Sequence, residues 1–307
     1  MTNKKDELFV SIIIPTYNRA NLITRAINSI LDQSYTNYEI IVVDDGSTDN
    51  TKEVIQRFNE DKINYYVHKK NRGAAAARNT GIKYSKGDFI AFQDSDDKWL
   101  PEKLEKEMDV FLEASDKIGV VYSGYWHIKD NKKIYIPTPK VTKKEGNIHF
   151  ELLKGNFVSG LSVIRKICFK KVGLYDENLP NLEDWELYIR ISKYFSFKFI
   201  DEPLSIAYCS SDSASINYSK NLKSSEIILK KHFADFNDNK EILAVNKANI
   251  GIYAFLNGDE SKSRKYLMDA IRYNPLNIKY WLLYLVSFIQ KKYYNIFLNV
   301  FFTLRKY

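Results

Sequence analysis

Within residues 9–92, four short apolar runs alternate with stretches of helical patterning, and this alternation restricts the fold more than any other feature. Phe9 to Ile14 is a β-branched run stopped by Pro15, which reads as a strand buried on both faces. Asn18 to Leu31 carries Leu22, Ala26, Ile27, Ile30 and Leu31 as a helical stripe. Glu39 to Val43 is a second buried strand, closed by Asp44-Asp45-Gly46-Ser47-Thr48-Asp49, where Ser47 or Asp49 can cap a helix through Thr51–Phe58. Ile63 to His68 reads as a third strand, Ala74 to Tyr84 as a helix and Phe89 to Phe92 as a fourth strand. Strand and helix in strict alternation predict an α/β fold with a parallel sheet and crossover helices.

Such sheets bind ligands beyond the carboxyl ends of their strands. Three segments should therefore converge: Pro15-Thr16-Tyr17-Asn18, Asp44-Asp45-Gly46-Ser47 and Gln93-Asp94-Ser95-Asp96-Asp97. Crowded carboxylates at Asp94, Asp96 and Asp97 repel one another, and a divalent cation such as Mg²⁺ or Mn²⁺ relieves that repulsion with oxygen ligands. The same residues also read as an acidic turn in which Asp97 caps the next helix. Asp44-Asp45 is either turn chemistry or an acceptor for a ligand N–H, and Tyr17 is either a stacking platform for a base or a rim aromatic.

Further along, Pro101 opens a helix to about Ala114, and Gly119–Ser123 reads as a strand. Pro137–Asn147 reads as a polar, basic loop, Phe157–Arg165 as a strand and Glu183–Tyr194 as a helix. Phe197–Ile206 closes this region, and Ser210–Ser224 reads as a Ser/Asn-rich linker. The expected division is a nucleotide-binding and catalytic domain over 1–220 and a helical, basic and aromatic region over 221–307. Charge supports it: residues 221–307 hold 14 basic and 7 acidic residues of the chain's 46 and 38, so most of the net +8 lies there.

The motifs resemble those of the inverting family 2 glycosyltransferases with the GT-A fold. The resemblance rests on Val10-Ser11-Ile12-Ile13-Ile14-Pro15-Thr16-Tyr17-Asn18, on Val42-Val43-Asp44-Asp45-Gly46-Ser47-Thr48-Asp49 and on Asn71-Arg72-Gly73 with Ala77-Arg78-Asn79-Thr80-Gly81. It continues through Asp94-Ser95-Asp96-Asp97, Gly173-Leu174-Tyr175-Asp176-Glu177 and Glu183-Asp184-Trp185-Glu186-Leu187, over about residues 9–207. It implies a Rossmann-like, mostly parallel sheet flanked by helices, with a C-terminal helical extension. It also implies a nucleotide-sugar donor, a UDP-sugar or similar. Asp45 would contact the base, Pro15 and Tyr17 would line its pocket, and Asp96 would lie near ribose and metal. Asp97 would be the main ligand of Mn²⁺ or Mg²⁺ with Asp94 in support, and Arg78 would meet the phosphates or brace Asp94. Asp184 would be the general base, with Glu183 or Glu186 as rivals.

One departure stands out. After the last strand of this region many relatives carry an Arg and a His near a Tyr; here the chain reads Tyr208-Cys209-Ser210-Ser211-Asp212-Ser213. The four histidines are scattered and receive no role.

The implied activity is inverting transfer of a sugar to a glycan or lipid-linked acceptor, in bacterial cell-surface polysaccharide synthesis. A non-catalytic nucleotide-sugar-binding protein or scaffold is the alternative, which loss of Asp97 or Asp184 would have favoured. A dinucleotide enzyme is disfavoured because the first βα turn lacks Gly-x-Gly-x-x-Gly, and nucleic-acid binding because the tail's cations are sparse. Two cysteines, no apolar leader and no run of ~18–20 apolar residues point to a cytoplasmic protein. Ala248 to Pro275 is similar to one tetratricopeptide-type hairpin. Tyr280–Ile289 and Tyr293–Leu304, flanked by cations, read either as interfacial helices on the inner face of the membrane or as a buried pair. Oligomeric state is open.

Overall fold

A computed structural model describes residues 8–129, 132–138, 141–158, 160–209 and 217–289. Its elements run β1 (Val10–Thr16), α1 (Ile23–Leu31), β2 (Tyr38–Asp44), α2 (Thr51–Gln56), β3 (Ile63–Val67), α3 (Ala74–Tyr84) and β4 (Phe89–Phe92). They continue with β5 (Lys98–Trp99), α4 (Lys103–Glu113), β6 (Ile118–Lys129), β7 (Lys132–Ile136), α5 (His149–Lys154), β8 (Val163–Arg165), α6 (Lys166–Val172), α7 (Glu183–Ile191) and β9 (Ser196–Tyr208). Five helices follow: α8 (Tyr218–Lys231), α9 (Phe233–Asn237), α10 (Lys240–Leu256), α11 (Glu260–Tyr273) and α12 (Ile278–Val286).

The expected α/β architecture is present. The strand order is β3-β2-β1-β4-β8-β6-β9-β5, with β7 paired to β6. β1, β2, β3 and β4 pair in parallel, whereas β8, β5 and β7 join antiparallel, so the sheet is mixed beyond β4. Every residue of β1 and β2 is buried, which explains why their sequences are unbroken apolar runs rather than alternating ones. One face of the sheet packs Ile12, Ile14, Val42 and Ala91 on Ile23, Ile27 and Ile30 of α1 and on Met108 and Phe111 of α4. On α3, a Cβ added at Gly81 would lie 2.5 Å from Ile13 Cγ2, so only glycine permits that approach of helix to strand.

The chain steps from β1 outward to β2 and β3, then returns to β4 on the other side of β1. This reversal puts the carboxyl ends of β1, β2 and β4 side by side.

The chain divides into two compact units. The first holds 1–148, 157–177 and 187–210; the second holds 149–156, 178–186 and 211–307. In the second, α10 and α11 form a hairpin around Asn257-Gly258-Asp259, with a core of Ala248, Ile252, Leu267 and Ala270 joined by Tyr280 and Leu283. Asn239 caps α10 by accepting from the Glu241 and Ile242 amides, and Asp259 caps α11 through the Lys262 amide at 3.0 Å.

Some expected boundaries are corrected. Ser210–Ser224 is not a linker throughout, because α8 begins at Tyr218, capped by Asn217. Polar composition hid a helix that buries Leu222, Ile228 and Leu229 on one face. Among the described residues of Phe157–Arg165, only Val163–Arg165 is strand, where β4 and β6 supply partners. Tyr293–Leu304 lies outside the described residues.

Candidate active site

Register sets the site. Thr16 pairs with Asp44 across β1 and β2, and Ile13 with Phe92 across β1 and β4, so the three acid-bearing and aromatic segments leave the sheet at neighbouring points. The first two are bonded together. The Asn18 amide donates to Ser47 Oγ at 2.9 Å, and the Thr48 amide donates to Asn18 Oδ1 at 2.8 Å. Asn18 takes a positive φ of 52°, a conformation that asparagine tolerates better than most residues.

The two acids after β2 differ in use. Asp44 Oδ1 accepts from the Ser47 amide and Oδ2 from the Tyr65 hydroxyl, at 2.8 and 2.7 Å. That contact, after burial, helps push the Tyr65 phenol well above its ordinary value. Asp45 is buried; its Oδ2 accepts from the Gly73 amide at 2.6 Å and its Oδ1 from the Arg72 amide at 2.9 Å, with His68 Nδ1 2.6 Å from the same Oδ1. His68 Nε2 in turn lies 2.9 Å from Thr80 Oγ1 on α3. Gly73 holds φ 93° and ψ 162°, a region that L side chains avoid, and this conformation aims its N–H at the carboxylate. The base contact expected of Asp45 thus falls on a carboxylate that two backbone amides of the chain already hold and that His68 flanks.

From that turn α3 leads directly to the second acid cluster. Arg78 donates to Asp94 Oδ1 at 2.9 Å, the bracing arrangement of the two expected for it. One helix therefore connects the turn on Asp45 to the acids after β4. Asp97 is buried, and the Tyr208 amide at the end of β9 donates to its Oδ1 at 3.0 Å. Burial, followed by the charges of Asp94 and Asp96, raises the Asp97 carboxyl well above the carboxylate range. Burial and Asp94 raise Asp96 in the same way. Tyr17 is exposed, and Pro15 is buried within β1.

Several residues here escaped sequence reasoning. His68 is one, given no role because no acid stands near it in the chain. Arg25 of α1 is another: it donates to the Asp96 carbonyl and lies 3.9 Å above the Tyr208 ring. It brings a cation to the end of β9, where the sequence itself offers none. Thr16 Oγ1 and both amide atoms of Gln93 are buried without a partner among the described residues, polar ends at the tips of β1 and β4. A helix stripe or an isolated amide gives no sign of such placements.

The acids suit a hard cation. All are oxygen donors, and burial first, then the charges of neighbouring acids, raise Asp96 and Asp97, with Arg25 offsetting part of the effect. Among the described residues no group of three His, Cys, Asp or Glu is arranged to hold a metal alone. Two carboxylates completed by a ligand's phosphates is the habit of Mg²⁺.

In the second unit, Asp184 sits in the first turn of α7, half-buried. The Asn156 side-chain amide donates to its Oδ2 at 3.1 Å and the Trp185 backbone amide to its Oδ1 at 2.7 Å. Its rival Glu186 is fully buried between His232 Nε2 at 2.9 Å and Lys231 Nζ at 3.0 Å. Glu183 is buried as well. In the first unit, burial pushes the Cys168 thiol up to about 12, which leaves it an inert packing group.

Among known proteins, UDP-Glc:alpha-D-GlcNAc-diphosphoundecaprenol beta-1,3-glucosyltransferase WfgD of Escherichia coli is 37% identical over 161 residues, 52% of this chain and 60% of that protein. Uncharacterized glycosyltransferases of several Rickettsia species are 36–38% identical, and this chain spans between 30% and 62% of their length. In fold, the chain is similar to S. aureus TarS 1–349 in complex with UDP-GlcNAc, with TM-score 0.58 and 19% identity over 91% of this chain and 79% of that one. It is also similar to the mannosyltransferase PcManGT of Pyrobaculum calidifontis in complex with GDP-Man and Mn²⁺, with TM-score 0.57 and 19% identity over 94% and 83%. The family described as Glycosyl transferase family 2 matches residues 11–173, more than half of the sequence and the whole run of strand tips that carries the acids, and the chain belongs to that family.

Proposed function

We propose that the protein transfers a sugar, with inversion, from a nucleoside-diphosphate donor of the UDP-sugar class to a glycan or lipid-linked acceptor in cell-surface polysaccharide synthesis. The observation that carries this reading is the acid cluster Asp94, Asp96 and Asp97, of which Asp97 is buried and Asp94 is paired with Arg78 at 2.9 Å, beside the tips of β1 and β2. The UDP-GlcNAc complex of TarS supports the donor class, and the name of WfgD supports a lipid-linked acceptor. Residues 1–220 carry the transfer and residues 221–307 form the helical appendage. The reaction takes place on the cytoplasmic side.

Pro15 and Tyr17 line the base pocket, and Asp45 acts on the base end through the Arg72–Gly73 turn that it holds. Asp96 lies on the ribose side. Asp97, supported by Asp94, holds Mn²⁺ or Mg²⁺, a choice the Mn²⁺ complex of PcManGT favours. When bound, that ion offsets negative charge on the departing nucleoside diphosphate. Arg78 keeps Asp94 oriented, and Arg25 adds positive charge beside Asp96.

Asp184 takes the proton of the acceptor hydroxyl as its oxygen attacks the anomeric carbon from the face opposite the leaving group. It sits in the first turn of α7, and the Asn156 side-chain amide, donating to its Oδ2 at 3.1 Å, orients the carboxylate. Glu186 is unsuited to the task because His232 and Lys231 already occupy it.

A screen of nucleotide sugars with Mn²⁺ or Mg²⁺, following release of nucleoside diphosphate and sugar transfer, tests the reading. Asp184→Asn should lower transfer by about 10²–10⁴-fold while UDP affinity holds. Binding of no nucleotide sugar, or full transfer by Asp184→Asn, would refute it.

A further inference from the structure

Among the described residues, nothing covers the outer, apolar face of α12. Ile278, Trp281 and Leu285 recur at i, i+3 and i+7, which makes one stripe, and all three are exposed, Leu285 at 61%. Leu276, at 94%, precedes the stripe, and Phe288 and Ile289 extend it in the turn that follows. The opposite face is fully engaged: Tyr280 and Leu283 are buried in the core of the α10–α11 hairpin. A helix apolar on both sides, with only one side packed, presents a contiguous patch of a kind that soluble surfaces rarely leave open.

The charge on α12 itself is positive, while the arginines of α11 nearby are paired, Arg264 with Glu260 at 3.2 Å and Arg272 with Asp269 at 3.3 Å. Lys279 is the only charged residue of α12, and it is exposed. Arg264 places its guanidinium 4.8 Å from the Phe288 ring, and Arg272 is exposed on α11. The sequence contains no acid after Asp269, whereas Arg272, Lys279, Lys291, Lys292, Arg305 and Lys306 all follow it. A second copy docking on this face through α12 would bring the Lys279 cations of both copies into one apolar interface. An anionic lipid surface meets both features at once, with acyl chains taking the Trp/Leu/Ile stripe and headgroup phosphates the cations.

We infer that the α12 face is a peripheral docking surface for an anionic lipid bilayer. Trp281 donates its indole N–H to the Pro275 carbonyl at 2.9 Å, which holds the ring at the rim of the patch. No helix among the described residues is long and apolar enough to cross a membrane, so the contact is interfacial. The inference deepens the proposed function and rests on it only for purpose: docking would hold the enzyme at the surface where a lipid-linked acceptor lies.

Flotation of the full chain with phosphatidylglycerol/phosphatidylcholine vesicles, and with phosphatidylcholine alone, tests it without substrate. The protein should float with the anionic vesicles and stay behind with the neutral ones. Trp281→Ser combined with Leu285→Ser should reduce the bound fraction roughly tenfold, and Lys279→Glu roughly fivefold or more. These side chains are exposed, so thermal melting should stay unchanged; Ile278→Ser serves as a second variant if it does not. Failure to float with anionic vesicles, equal flotation with neutral ones, or native flotation by the variants would each overturn the inference. Self-association abolished by the same substitutions, without vesicle binding, would assign the face to a second copy and also overturn it. Release of nucleoside diphosphate in vesicle-free buffer reads the glycosyl-transfer proposal separately, so either idea can fail alone.

Discussion

Asp45 and Asp97 are both buried acids just beyond strand tips of one sheet, yet their surroundings are opposite. Asp45 receives two backbone amides, from Arg72 and Gly73, and has His68 against it. Asp97 receives the Tyr208 amide and faces the charges of Asp94 and Asp96, which, after burial, raise its carboxyl well above the usual range. A carboxylate saturated by the chain's own donors organises a loop. One buried beside other acids carries a carboxyl that burial first, and then their charge, raise above its ordinary range. The contrast is the one expected under the proposed function between an acid that organises a loop and one that meets the ligand.

Three substitutions sharpen or break this contrast. The largest effect belongs to Asp97→Asn, which should cost transfer activity about 10²–10³-fold, the loss typical when a principal charge-stabilising group is removed. Melting temperature should hold or rise, because one of three mutually repelling acids is gone. A drop in stability instead would place Asp97 with the loop-building residues. Asp45→Asn should do the reverse, lowering stability by about 1.5–3 kcal/mol as charge-assisted bonds are lost. Urea denaturation measures this, and unchanged stability would mean that its donors contribute nothing. Gly73→Ala is the mildest of the three, with a strain of about 1–3 kcal/mol from its φ of 93° and no steric component. A Cβ there meets nothing within 4 Å, so a variant of native stability would show that the turn relaxes freely.

Much of this organisation is legible in the chain. β1 and β2 announce themselves because burial on both faces demands unbroken apolar runs, and the acids of the crevice follow directly on strands, where turn residues stand out. Boundaries were harder where burial and polarity disagree. α8 opens in a polar stretch, and its buried Asn221, Ser224 and Ser225 look like linker residues. Asn221 and Ser224 are buried because Asn181 bonds both, a partner some forty residues away.

The sequence by itself determined the four-fold strand–helix alternation, the acids at the strand ends and the cationic, aromatic tail, because these follow from local pattern and from where apolar runs stop. Tertiary structure alone decided which of those acids are satisfied. The donors of Asp45 stand 23 to 28 residues away, Arg25 reaches Asp96 across 71, and Tyr208 reaches Asp97 across 111. Hydrogen bonding and charge depend on distances of a few ångströms, and strand order, which the linear pattern leaves open, sets those distances.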